Sequence, residues 1–151
     1  MGFKTELEKG RERGNKDMTN EERRKYLFKV AERKLKEMHT SYEEEDWNMV
    51  IRNAQESVEC YLKGLLKFMN VEFPKEHNIG KYFEEILLKK KIVFDREKMK
   101  RVKEISEYLS KKRAPAYYGE EFYSKEEAEN AKRDAEFVKE FALEMLESLK
   151  G

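Results

Sequence analysis

The sequence predicts an all-α protein, a largely up-and-down helical bundle of about five helices. Three observations carry that prediction. Apolar residues recur at steps of three and four through most of the chain, which keeps one face of an α-helix apolar. No stretch alternates apolar and polar residues as a half-buried strand does. The breaks between periodic segments are short, so successive helices must fold back on one another.

The elements follow in order. Residues 1–18 contain Gly10, Gly14 and Asn15 and little apolar periodicity, which predicts a mobile or weakly packed arm ahead of one domain over 19–151. Thr19 and Glu22 have capping-box spacing and open a helix to about His39, with Leu27, Ala31, Leu35 and Met38 inward. Ser41 to Glu45 reads as a short acidic connection or helix start. The strongest pattern then runs from about Glu44 to Met69, through Trp47, Val50, Ile51, Ala54, Val58, Tyr61, Leu62 and Leu65. Phe73-Pro74 interrupts it, because a proline disfavours helix in the residue before it. A shorter helix is predicted from about Asn78 to Lys89, with Ile79, Tyr82, Phe83, Ile86 and Leu87 inward. Asp95 caps a fourth, striped by Met99, Val102, Ile105, Ser106 and Leu109. Pro115 and Gly119 then predict a kink or turn. Ser124 with Glu127 forms a second capping box, opening a last helix along Ala128, Ala131, Ala135, Val138, Ala142, Met145 and Leu149. Its alanines permit close helix approach.

Composition excludes several function classes. The chain has 151 residues, 33 Lys and Arg against 32 Asp and Glu, and a net charge of +1. That balance argues against a uniformly basic nucleic-acid coat while allowing a local basic patch. The abundance of Lys and Glu suits a thermophile with surface ion-pair networks. A single cysteine, Cys60, fits a reducing cytoplasm and reads as a packed structural thiol. No 18-residue apolar run and no signal-peptide core are evident, so a soluble protein without a membrane segment is expected. Two histidines, no C-x-x-C and no repeated E-x-x-H pair predict no metal and no cofactor. His77 stands just before a helix, where a structural role and a ligand-facing secondary role are both open.

One passage differs from the charged helices around it: "KKRAPAYYGEEFY", residues 111–123. Arg113 has the planar fork for a phosphate, Lys111 and Lys112 add charge, and Tyr117, Tyr118, Phe122 and Tyr123 offer faces on which a base stacks. The same residues suit burial against a second subunit or another partner, since Tyr and Arg are favoured at interfaces. Plain core packing is the third reading.

The order of motifs resembles the HEPN family (higher eukaryotes and prokaryotes nucleotide-binding). The family pattern A-Q-x-x-x-E-x-x-L-K-x-L-L is matched by Ala54, Gln55, Glu59, Leu62, Lys63, Leu65 and Leu66, followed by Pro74, His77 and Ile79. The stretch led by Arg113 and the alanine-striped last helix are similar to the family's second half, so the likeness covers about residues 44–149. The resemblance implies a compact helical bundle, a homodimer, and a partnership with a small nucleotidyltransferase in toxin–antitoxin-like modules. It further implies nucleotide or RNA contact, in many members as a metal-independent RNase with an R-x(4–6)-H motif at the dimer cleft. It also raises the transfer of a nucleotidyl group from the partner enzyme to Tyr117 or Tyr118.

This chain departs from the motif. Counted from Arg113, the three permitted histidine positions hold Tyr118, Gly119 and Glu120. An imidazole exchanges protons near neutral pH, whereas a phenol with a pKa near 10 is only about 0.1% ionised at pH 7. The other R-x-H match, Arg33 with His39, falls on the first helix, where six residues turn about 240°. The expectation is a binding protein without ordinary RNase chemistry. An RNase using Arg113 with a non-histidine partner and a structural dimerisation module are the alternatives.

Overall fold

The computed structural model describes residues 18–151. They form five α-helices: α1 (Asn20–Glu43), α2 (Trp47–Phe68), α3 (Gly80–Lys89), α4 (Arg96–Tyr118) and α5 (Lys125–Lys150). No strand occurs among the described residues. The predicted arm lies, apart from Met18, outside them.

α2 is the hub and packs against each of the other four helices. Its pattern explains why. Val50, Ile51, Ala54, Val58, Tyr61, Leu62 and Leu65 are buried, and so are Asn53, Gln55, Ser57 and Gly64 on its other sides. A helix buried nearly all round belongs at the centre of a bundle. Its polar groups find partners there: the buried Ser57 hydroxyl donates to the Ala31 carbonyl of α1 at 3.0 Å. Gly64 lets α1 approach, since a Cβ at that position would sit 2.7 Å from the Phe28 ring. The α5 alanines Ala128, Ala131, Ala135 and Ala142 are fully buried, which lets that helix lie close against its neighbours.

The caps set the helix starts. The Thr19 hydroxyl accepts from the Glu22 N–H at 3.0 Å, and Asp95 accepts from the N–H groups of Glu97 and Lys98. Ser124 and Glu127 make the full reciprocal capping box at the start of α5. α3 begins at Gly80, two residues later than predicted, and has no cap of its own. The Ser106 hydroxyl of α4 supplies one, accepting from the Gly80 N–H at 3.1 Å.

Two of three helix ends differ from the sequence reading. α1 continues through Ser41 to Glu43, and Phe28 joins its buried stripe while Leu27 is only half-buried. α2 stops at Phe68, within one residue of the predicted end at about Met69, and Asn70 beyond it turns left-handed at φ 60°. α4 continues through Pro115 to Tyr118, and Gly119, at φ 68°, ends it. Pro115 lacks an N–H for the Lys111 carbonyl, yet its own carbonyl accepts from the Glu120 N–H at 3.0 Å. The helix therefore continues past Pro115, and the predicted turn comes at Gly119.

Candidate functional site at the end of α4

Because α4 passes through Pro115, Lys111, Arg113, Tyr117 and Tyr118 are all helical residues. Arg113 and Tyr117, four apart, share a face. Tyr118, five from Arg113, points about 140° away from it.

Arg113 faces inward. Its side chain is 17% exposed, its Nη1 donates to Gln55 Oε1 at 2.7 Å, and Glu56 Oε2 lies 3.9 Å away. The Gln55 amide continues the chain of contacts by donating to Glu59 Oε1 at 2.9 Å. Glu59 also takes Lys63 Nζ at 2.7 Å and His77 Nδ1 at 2.8 Å. Burial pushes the Glu59 carboxyl up, but the bonds from Lys63, Gln55 and His77 outweigh it and hold the carboxyl below its usual range. This ties α4, α2 and the connection before α3 into one polar network. His77, the secondary candidate, is its exposed end.

The lysines are also engaged. Lys111 Nζ lies 3.1 Å from Glu107 Oε1, and Lys112 Nζ 3.8 Å from Glu121 Oε2. Tyr123 is buried at 7% exposure, so its ring is part of the core and offers no open stacking face. Its hydroxyl donates to Glu121 at 2.9 Å, and burial together with that carboxylate raises its pKa.

The remaining aromatics are open. Tyr117, Tyr118 and Phe122 are 54%, 70% and 85% exposed, with the two tyrosine rings edge to face at 5.0 Å. The Arg52 guanidinium sits 4.4 Å from the centre of the Tyr117 ring and bonds Glu56 at 2.9 Å. Tyr117 and Phe122 line an open groove of about 530 Å³ with Glu45, Asp46 and Trp47 from the α1–α2 turn. Asn48 fixes this edge. Its amide donates to the carbonyls of Ala116 (3.1 Å) and Glu121 (2.8 Å), and its Oδ1 accepts from the Tyr123 N–H at 3.0 Å.

Elsewhere the remaining candidates take structural places. His39 contacts Glu136 at 3.2 Å, and Arg33 is exposed on the same helix. Burial, with Glu59 and Glu56 nearby, pushes the Cys60 thiol up to about 11, so it stays protonated at neutral pH. Among the described residues no cluster of three or more His, Cys, Asp or Glu is placed to hold a metal ion, and no helix is long and apolar enough to cross a membrane.

Sequence reasoning left out Asn48, Arg52 and Glu56. Gln55 and Glu59 were visible in the motif, but nothing in one sequence shows that Gln55 meets an arginine 58 residues away.

The chain that folds into this bundle has a counterpart among known families. The family model for the HEPN domain matches residues 25–146. The chain belongs to the HEPN family. That span takes in all of α2, α3 and α4 and most of α1 and α5, so the whole polar network and the aromatic edge lie inside the HEPN domain. Neither a curated protein nor a solved structure matches the chain significantly.

Proposed function

We propose that this HEPN protein acts by docking a protein partner on the aromatic edge at the end of α4, rather than by cleaving RNA. One observation carries the reading: the aromatics of the edge are open, while its cations are already engaged. Tyr117, Tyr118 and Phe122 offer apolar surface that association removes from water. Arg113 is turned inward onto Gln55 and Glu56, and Lys111 and Lys112 each have a glutamate beside them with which a phosphate would compete.

The chemistry points the same way. General-base catalysis needs a group within hydrogen-bond reach of the proton it removes. Tyr118 leaves α4 on a different side from Arg113, and Gly119 has no side chain to offer.

The family resemblance makes a small nucleotidyltransferase the first partner to test, in a toxin–antitoxin-like module, with a second copy of the chain next. Of the two tyrosines such an enzyme could modify, Tyr118 is the more exposed. The experiment is co-expression with a nucleotidyltransferase encoded beside this chain, followed by gel filtration. The wild type should co-elute with the enzyme, and the double variant Tyr118→Ser, Phe122→Ser should release it. Undiminished co-elution of the double variant sinks the docking reading.

A further inference from the structure

The edge that exposes these aromatics is also acidic. Glu43, Glu44, Glu45 and Asp46 follow one another at the α1–α2 turn, and Glu120 and Glu121 flank the α4–α5 connection. Glu45 and Asp46 line the same groove as Tyr117 and Phe122. Glu121 is held near Lys112, and Asp46 Oδ1 accepts from the Met49 N–H, capping α2. Glu43, Glu44, Glu45 and Glu120 are exposed, and among the described residues none makes an ion pair. The nearby cations Arg52 and Lys112 already have carboxylate partners.

Neighbouring rings that already carry a cation show what this arrangement attracts. Arg52 lies 4.4 Å from the Tyr117 ring centre, Lys112 lies 5.5 Å from that of Tyr123, and Lys132 lies 3.6 Å from that of Tyr42. In the first two cases the cation also has a carboxylate, Glu56 or Glu121, within 4 Å. An aromatic face beside a carboxylate is a favourable seat for a guanidinium or ammonium group. Among the described residues no cation lies over Tyr118 or Phe122; Phe122 lines the groove with Glu45, and Glu120, exposed and without an ion pair among the described residues, lies two positions from each aromatic.

We infer that the occupant of this groove is an Arg- or Lys-bearing segment of a partner protein, with its apolar residues on Phe122 and its cations on Glu45 in the groove and on Tyr118 and Glu120, which flank the groove-lining Gly119 in sequence. The inference rests on the docking reading above and names the chemistry of the partner. A single-stranded RNA is the opposite case. Its bases could stack here, but its phosphates would meet carboxylates on both sides.

The test is fluorescence anisotropy with three labelled probes: a ten-residue peptide of alternating Arg and Leu, the same peptide with Ser for Arg, and a single-stranded RNA decamer. The Arg peptide should bind, and Glu45→Gln with Glu120→Gln should weaken it about ten-fold. Phe122→Ala should weaken it as much, and raising the salt should weaken the wild type. Circular dichroism checks that these surface variants keep their helices. Equal binding of the Ser peptide, lost in Phe122→Ala but indifferent to Glu45 and Glu120, overturns the inference and leaves the docking reading standing. No peptide binding at all overturns the inference. RNA binding that depends on Phe122 overturns both.

Discussion

At the scale of single residues, Asn48 and Glu59 do the most to hold the candidate site. Asn48 makes three hydrogen bonds to backbone atoms between Ala116 and Tyr123. Asn48→Ala should cost about 1–3 kcal/mol, because the freed Ala116 carbonyl and Tyr123 N–H are part-buried. Urea denaturation measures the loss, and hydrogen exchange should place the faster opening at residues 119–124. Glu59 gives a pH dependence of definite sign. Its folded carboxyl lies below its usual range, so its contribution to stability is present above about pH 4.5 and is lost as pH falls through the folded value. Glu59→Gln should therefore be less stable than wild type at pH 7, with the difference shrinking toward pH 3. Asp134 has the opposite sign. Burial holds its carboxyl above the usual range despite Arg101 and Arg133, so ionising it costs stability as pH rises. Asp134→Asn should gain relative to wild type between pH 4 and 7, and denaturation midpoints across that range test both variants.

At the scale of elements, two residues that both read as helix breakers behave differently. Gly119 ends α4 in a left-handed conformation that only glycine adopts without strain. Gly119→Ala should cost about 1 kcal/mol. Pro115 sits within the helix and denies it a hydrogen bond, so Pro115→Ala should raise stability by about 1–2 kcal/mol. Thermal melts of the two variants should shift in opposite directions.

The same helix ends show how far the sequence could be read. Capping at Thr19, Asp95 and Ser124 was legible because side chain and sequence spacing together define the cap. The ends of α2 and α3 fall within one residue of the predicted Met69 and Lys89, whereas the end of α1 was not legible, and neither were the positive-φ residues that close all three helices. There Glu45, Asn70 and Lys91 take positive φ, and the following N–H closes back on a carbonyl five residues earlier, as in Asp46 to Ser41. For Glu45 and Lys91 no glycine marks the spot, so a sequence offers no sign of it.

At the scale of the whole molecule, the bundle was legible because one long apolar stripe on α2 demands partners along its length. The stripes predicted for α4 and α5 are buried almost residue for residue, with only Leu149 partly exposed. The site was legible in one dimension only. Arg113, Lys111, Lys112, Tyr117 and Tyr118 do lie together on the last turns of α4. Which of them are free is decided by Gln55, Glu56, Glu107 and Glu121, two of them on another helix. Tyr123 went the other way, into the core, because Asn48 draws its backbone against α2.

The central claim is that this edge binds and does not cut. The most direct measurement is incubation of the purified protein with structured and single-stranded RNAs, resolved on a denaturing gel. The RNAs should remain intact, for wild type and for Arg113→Ala alike. Cleavage by the wild type that disappears in Arg113→Ala would contradict the account and return the site to catalysis.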